Sequence, residues 1–318
     1  MSRSRERLHI PGYQVVDYLG SGARSTIWRV RDRDRNRFYA LKRVYKNPED
    51  DGRYLAQAIN EFRIARRLDH PAIRKCIRMR RLWKWFHVQE LHLFMELCEG
   101  ATCQANRPTE VGTVIDVFGQ VAQALTHMHA RGYLHADTKP NNIVVANDGA
   151  VKLIDFGQSC TIGTIKERIQ GTPDFISPEQ VHRRPLDGRT DVFNFGAALY
   201  WTLTGTPIPT VLPKASDGLR LVGDLQVVPP DEGNPAVPTA LSRLVLDCIE
   251  PRPARRPQTI REVAGRLDLI DHAIKRGNGA IHAHPIDDEE RTPTGGAGEP
   301  TDETGEFDIE DIQFDDEE

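Results

Sequence analysis

No apolar run in this sequence is long enough to cross a bilayer. The longest nearly apolar stretch, Phe195 to Leu203, is about half of what a membrane-spanning helix needs. Arg3, Arg5 and Arg7 open the chain without an apolar segment after them, so no secretory signal is expected. Cysteine is scarce. The five present (Cys76, Cys98, Cys103, Cys160 and Cys248) are odd in number and form no C-x-x-C pair, which argues for free thiols in a reducing cytoplasm. A strong excess of positive charge is missing too: the formal net charge is −4, and no nucleic-acid partner is expected.

That small net charge conceals an asymmetry. Residues 287–318 hold 15 Asp and Glu against a single Arg, a charge of −14, so the rest of the chain carries +10. From about Gly277 onward Pro, Gly, Thr and acids dominate, and self-repulsion with little apolar area predicts disorder. Two features stand out there. Thr292, Thr294, Thr301 and Thr304 are candidate phosphoacceptors, and Phe307, Ile309, Ile312 and Phe314 are apolar anchors spaced through an acidic background.

The densest chemistry lies in Tyr133-Leu134-His135-Ala136-Asp137-Thr138-Lys139-Pro140-Asn141-Asn142. Ile143 to Val145 lead into Asn147-Asp148-Gly149, a strong turn signal, and Val151 to Ile154 lead back to Asp155-Phe156-Gly157. Such a hairpin returns Asp155 to the neighbourhood of Asp137 and Asn142. The result is a pocket of oxygen ligands suited to a hard divalent cation, with a carboxylate to spare.

Upstream, a strand from Tyr13 to Leu19 runs into Gly20-Ser21-Gly22-Ala23-Arg24-Ser25, where closely spaced glycines let backbone N–H groups approach phosphate oxygens. Strands at Thr26–Arg31 and Arg37–Val44 follow, and Lys42 alternates inward with Ala40 and Val44. A dinucleotide fold would require a helix after the glycines. Apolar residues from Leu55 to Leu68 mark a helix that carries Glu61. Glu90 to Leu97 reads as a strand, and Thr109 to Ala130 as a helix with Thr109 at its N-cap. Further helices are expected over Val192–Thr204, opened by Asp191, over Leu241–Ile249, and after the capping box Thr259-x-x-Glu262. Residues 206–238, rich in Pro and Gly, are assigned no function.

In this order and spacing, Gly20/Gly22, Lys42, Glu61, Asp137, Lys139, Asn142, Asp155, Glu179, Asp191 and Arg256 resemble the eukaryotic-like (Hanks-type) protein kinases over about residues 13–270. Lys139, two residues after Asp137, is similar to the serine/threonine branch. The resemblance implies an α+β, bilobal protein kinase-like fold with a small antiparallel-sheet N-lobe and a mainly helical C-lobe. The expected divisions are a basic N-terminal arm (1–12), N-lobe (13–96), C-lobe (97–276) and acidic tail (277–318). ATP and Mg²⁺ are the implied cofactors. Gly20, Ser21, Gly22, Ser25, Ile27, Ala40, Lys42, Met95, Glu96, Cys98, Asn142 and Asp155 would line the nucleotide, with Asn142 and Asp155 on the metal. Met95 would be the gatekeeper and Glu96 to Cys98 the hinge. Lys42 would hold the α- and β-phosphates and pair with Glu61, although a solvated helix carboxylate is the bland alternative for Glu61. Asp137 would accept the acceptor's proton, and Lys139 would steady the transferred phosphoryl group.

Departures from the pattern also carry meaning. Ser25 stands where the family usually has a third glycine. Ala136 replaces an arginine that usually receives a phosphorylated activation loop (a non-RD variant), so activity is expected not to depend on that phosphorylation. Gly171-Thr172-Pro173-Asp174-Phe175-Ile176-Ser177-Pro178-Glu179 resembles the peptide-docking segment, which favours protein substrates with serine or threonine acceptors over small molecules. A nucleotide-binding pseudokinase or scaffold is the alternative. Arg63, Arg66, Arg67, Arg74, Lys75, Arg78, Arg80, Arg81 and Lys84 make the N-lobe basic. They form either a solvated surface or a docking face for an acidic segment such as the chain's own tail. For the tail the readings are a solubilising segment, a regulatory segment that docks on the basic lobe, and phosphothreonines that recruit a phosphothreonine-reading partner.

Overall fold

The computed structural model describes residues 8–22, 24–46, 52–84, 86–209 and 227–281, with side chains of the last helix to residue 277. The basic arm before residue 8 and the acidic tail beyond residue 281 therefore lie outside the described residues. The chain divides into two units, 1–277 and 278–318, and the fold below is that of the first.

Five strands form one antiparallel sheet in the order β1-β2-β3-β5-β4: β1 (Tyr13–Gly22), β2 (Ser25–Asp32), β3 (Phe38–Tyr45), β4 (Cys76–Lys84) and β5 (His87–Met95). The β2–β3 turn closes because Asp32 Oδ1 accepts the amides of Asp34 and Arg35, at 3.0 Å each. Alternation along β3 and β5 then separates two faces. Ala40, Val44, Leu91 and Leu93 join the main core together with Leu55, Ala58 and Ile64 of α1 (Arg53–Ala65). Leu41 and Phe94 point the other way and pack under Ile10, Tyr13 and Val30.

A second, helical region follows. Its elements are β6 (Ala101–Thr102), α2 (Val111–His129), β7 (Tyr133–Leu134), a 3-10 turn (Pro140–Asn142), β8 (Ile143–Val145), β9 (Val151–Leu153) and β10 (Cys160–Thr161). Then come α3 (Pro178–Val181), α4 (Gly188–Thr204), α5 (Pro230–Gly233), α6 (Thr239–Cys248) and α7 (Ile260–Ile281). α2 buries one stripe, Val114, Ile115, Phe118, Val121, Ala122, Leu125 and Met128. α4 is apolar on nearly all sides and is buried accordingly. Phe118 meets Phe195 edge to face, with centroids 5.2 Å apart. Gly196 lets α4 and α6 touch, since a Cβ there would lie 2.5 Å from Cys248 Cβ.

Several boundaries differ from those read in the sequence. α2 is capped by Glu110 rather than Thr109, because the Glu110 carboxylate accepts the amides of Gly112 at 3.0 Å and Thr113 at 2.6 Å. α1 stops at Ala65, short of Leu68. α4 begins at Gly188 with Asp187 as its cap, so Asp191 sits inside the first turn. β4 had no expectation at all: its Arg and Lys residues mask the alternation that marks a strand. Thr259 does cap α7, accepting the Glu262 amide at 3.1 Å. All five cysteines are free thiols, and no helix among the described residues is long and apolar enough to cross a membrane.

Candidate active site

Strand alternation aims Lys42 off β3 toward the face covered by α1, where Glu61 points back. Lys42 Nζ lies 2.7 Å from Glu61 Oε2 and 3.3 Å from Asp155 Oδ1. One ammonium thus ties a strand, a helix and the turn after β9. Burial alone would push the Lys42 ammonium down, but the Asp155 and Glu61 carboxylates outweigh it and hold its pKa above the ordinary lysine range. Lys42 in turn holds the Asp155 carboxyl below the usual carboxylate range, against the opposing effect of burial. Asp155 adopts a left-handed backbone, φ +62°, and its Oδ1 also accepts the Gly157 amide at 3.2 Å. Non-glycine residues rarely hold that conformation without local support.

Arg74 is the partner that sequence reasoning missed. It lies buried with its Nη2 2.7 Å from Glu61 Oε1, so it belongs to the interior rather than to the basic surface. Nothing in the sequence separates Arg74 from its basic neighbours over 74–84. Only the meeting of β4's approach with α1 singles it out.

The second half of the site is the 133–142 loop. Lys139 Nζ reaches Asp137 Oδ2 at 2.7 Å and Thr172 Oγ at 2.6 Å, and the Thr172 hydroxyl lies 3.2 Å from Asp137 Oδ1. Asn142 donates its Nδ2 to the Asp137 carbonyl at 2.8 Å. The loop itself is pinned from below. Asp191 accepts the backbone amides of His135 at 2.9 Å and Ala136 at 2.7 Å, and the His129 ring at 2.8 Å. Gln180 donates to the Ala136 carbonyl at 2.8 Å. Ala136, with φ +58°, packs its methyl among Leu134, Cys160 and Leu186. Below it, Arg256 forks onto Glu179 at 2.8 and 3.0 Å, both side chains buried.

The other expected residues lie along the sheet and the segment after it. Ala40 and Met95 are buried and face each other in the β3–β5 register. Ile27 pairs with Lys42, and Gly20, Ser21, Gly22 and Ser25 pair within the β1–β2 hairpin, whose apex residue Ala23 lies outside the described residues. Glu96 binds Lys152 at 2.7 Å and accepts the Lys75 amide at 3.0 Å. Burial raises the Cys98 thiol to about 11. Cys160 is buried and its thiol is likewise pushed up, which leaves little thiolate for redox chemistry.

The donor set fits a hard divalent cation. Asp155 stays ionised, and its Oδ2 has no hydrogen bond or ion pair among the described residues. Asn142 spends its amide nitrogen on Asp137, which leaves the amide oxygen as its donor.

A family model described as "Protein kinase domain" matches residues 13–265. A "Probable serine/threonine-protein kinase" of Clostridium acetobutylicum is 30% identical over 268 residues, covering 81% of this chain and 40% of that protein. Serine/threonine-protein kinase PknB of Mycolicibacterium smegmatis is 29% identical over 302 residues, covering 88% of this chain and 45% of its own length. PknB of Mycobacterium tuberculosis is 28% identical over 298 residues, with 88% and 45% covered. The chain thus spans less than half the length of the curated relatives it matches.

Proposed function

The chain belongs to the protein kinase family, and on that premise we propose that it transfers the γ-phosphoryl group of ATP, with Mg²⁺, to serine or threonine hydroxyls of protein substrates. The observation that carries this reading is Lys42, held at once by Glu61 at 2.7 Å and Asp155 at 3.3 Å. An ammonium fixed between two carboxylates is set to meet phosphate oxygens without reorganising, and such fixed charge is where phosphoryl transfer gains most.

Within this proposal, Gly20, Ser21, Gly22, Ser25, Ile27, Ala40, Met95, Glu96 and Cys98 line the nucleotide. Asn142 and Asp155 hold Mg²⁺, which when bound would neutralise charge on the triphosphate. Asp137 Oδ1 orients the acceptor hydroxyl and takes its proton. Lys139, already 2.7 Å from Asp137, steadies charge on the group in transit. Thr172, bonded to both, narrows the acceptor to serine and threonine.

We further propose that turnover does not require a phosphorylated activation segment. Position 136 supports this: the alanine methyl there offers no cation to a phosphate. Free thiols support a cytoplasmic setting. Charge asymmetry supports docking of the acidic tail on the basic N-lobe, and Thr292, Thr294, Thr301 and Thr304 support a phosphothreonine-reading partner.

Transfer of labelled phosphate from ATP to the chain itself and to a generic protein substrate tests the enzyme reading. Wild type should label and Asp137→Ala should not. Equal labelling would remove it, and nucleotide binding without labelling by either would leave a pseudokinase or scaffold.

A further inference from the structure

The β4–β5 hairpin presents apolar side chains that no described residue covers. Phe86 at its turn is 89% exposed, Trp83 is 60% exposed, and Leu82 and Ile77 are each 39% exposed. Among the described residues β4 is also an edge strand, paired with β5 alone. Exposed apolar groups on an open edge invite another segment. Cations flank them: Arg81 and Lys84 are exposed and form no ion pair among the described residues. Arg78 and Arg80, by contrast, are committed to the rings of Tyr13 and Phe94.

We propose that this hairpin is the docking surface for the segment Glu306–Glu318 of the same chain. Two arguments choose that occupant. The first is complementarity of both kinds: the segment interleaves Phe307, Ile309, Ile312 and Phe314 with eight carboxylates and contains no Lys or Arg. Its apolar groups match Trp83 and Phe86, while its charge matches Arg81 and Lys84. The second is tethering. The described chain ends at Ile281, and at roughly 3.4 Å per extended residue the stretch to Phe307 can reach about 85 Å, more than enough to cross a kinase-sized domain. A ligand on such a tether is present at an effective concentration on the order of millimolar. The same −14 tail repels an anionic bilayer, which disfavours lipid as the occupant.

The test uses the full chain, labelled with ¹⁵N, and reads the amide resonances of residues 307–314. It rests on the tail-docking part of the function proposed above and not on phosphoryl transfer, so a failed transfer assay leaves it intact. Docking slows these residues to the tumbling of the folded unit. Their intensities should then be at least about threefold lower at 25 mM than at 500 mM salt, because screening releases the charged contacts. The double variant Trp83→Ser/Phe86→Ser should restore full intensity at low salt. Leu269→Ser, altering another exposed residue (73%), should not. Tenfold dilution should change nothing.

Four results would overturn the proposal. Full intensity in wild type at low salt would mean that no docking occurs. Low intensity that survives the hairpin variant would put the contact elsewhere. Dilution-dependent intensity would assign the partner to a second copy. Binding of phosphatidylserine vesicles that is lost with Trp83 and Phe86, while the tail stays at full intensity, would make the hairpin a lipid surface.

Discussion

Glu61 divides its carboxylate between two cations, with Oε2 on Lys42 and Oε1 on Arg74, both at 2.7 Å, and its side chain is fully buried. Neither oxygen is left for water. The helix that brings Glu61 to the cleft is therefore anchored to β4's approach as well as to β3.

Removing the anchor to β4's approach should be costly. Arg74→Ala leaves a buried carboxylate with one partner instead of two, and breaking a buried pair typically costs about 3–5 kcal/mol. Urea unfolding should show a loss of that order, together with weaker nucleotide binding as α1 loosens. Arg81→Ala, on the exposed part of the same strand, should stay within about 0.5 kcal/mol of wild type. Equal effects for the two variants would contradict the buried assignment.

Restoring arginine at position 136 should destabilise the protein rather than repair it. The methyl there packs among Leu134, Cys160 and Leu186, and a guanidinium would be buried in that apolar cluster. Ala136→Arg should lower the unfolding midpoint by several degrees, equivalent to about 2 kcal/mol or more. A midpoint equal to wild type would show that the loop makes room.

Thr172 joins Asp137 and Lys139 through one hydroxyl. Thr172→Val keeps the shape and removes both contacts, so turnover should fall about 10- to 100-fold with little change in the urea midpoint. Thr172→Ser should retain most of the activity. A fully active valine variant would separate Thr172 from the acceptor's chemistry.

Outside the cleft, Glu90 should contribute to acid sensitivity. Burial works against the Glu90 carboxylate, but its bonds to His92 and Arg43 outweigh that and lower its pKa to about 2, against an ordinary 4.5. A depressed pKa contributes stability that is present above the ordinary value and lost as pH falls toward the folded one. The stability difference between wild type and Glu90→Gln should therefore be constant above about pH 5 and shrink between 4.5 and 2. In the cleft, Asp155 is held below its ordinary 3.8 and Lys42 above its ordinary 10.5. Between those values neither should titrate, and nucleotide affinity should carry no inflection from them. Chemical-denaturation curves against pH check the first expectation, and binding titrations the second.

The sequence by itself determined the order of the chemistry. Residue spacing placed Lys42, Glu61, Asp137, Lys139, Asn142 and Asp155 on a strand, a helix and a hairpin, because those elements have fixed periods and a turn such as Asn147-Asp148-Gly149 has few geometries. Alternation along β3 was enough to send Lys42 inward. What only the tertiary structure decided were the contacts between residues whose neighbours in sequence look alike. Arg74 is one basic residue among many until β4 brings it against Glu61. Glu110 outcompetes Thr109 as a cap because its carboxylate meets two amides. β4 went unread because charged side chains can flank a strand that is held by its partner's hydrogen bonds rather than by its own apolar pattern. Periodicity is a local property and survives in the sequence. Pairing across 13 or 113 positions, as for Arg74 with Glu61 or Lys42 with Asp155, depends on how packed elements meet, and that is settled only when the chain folds.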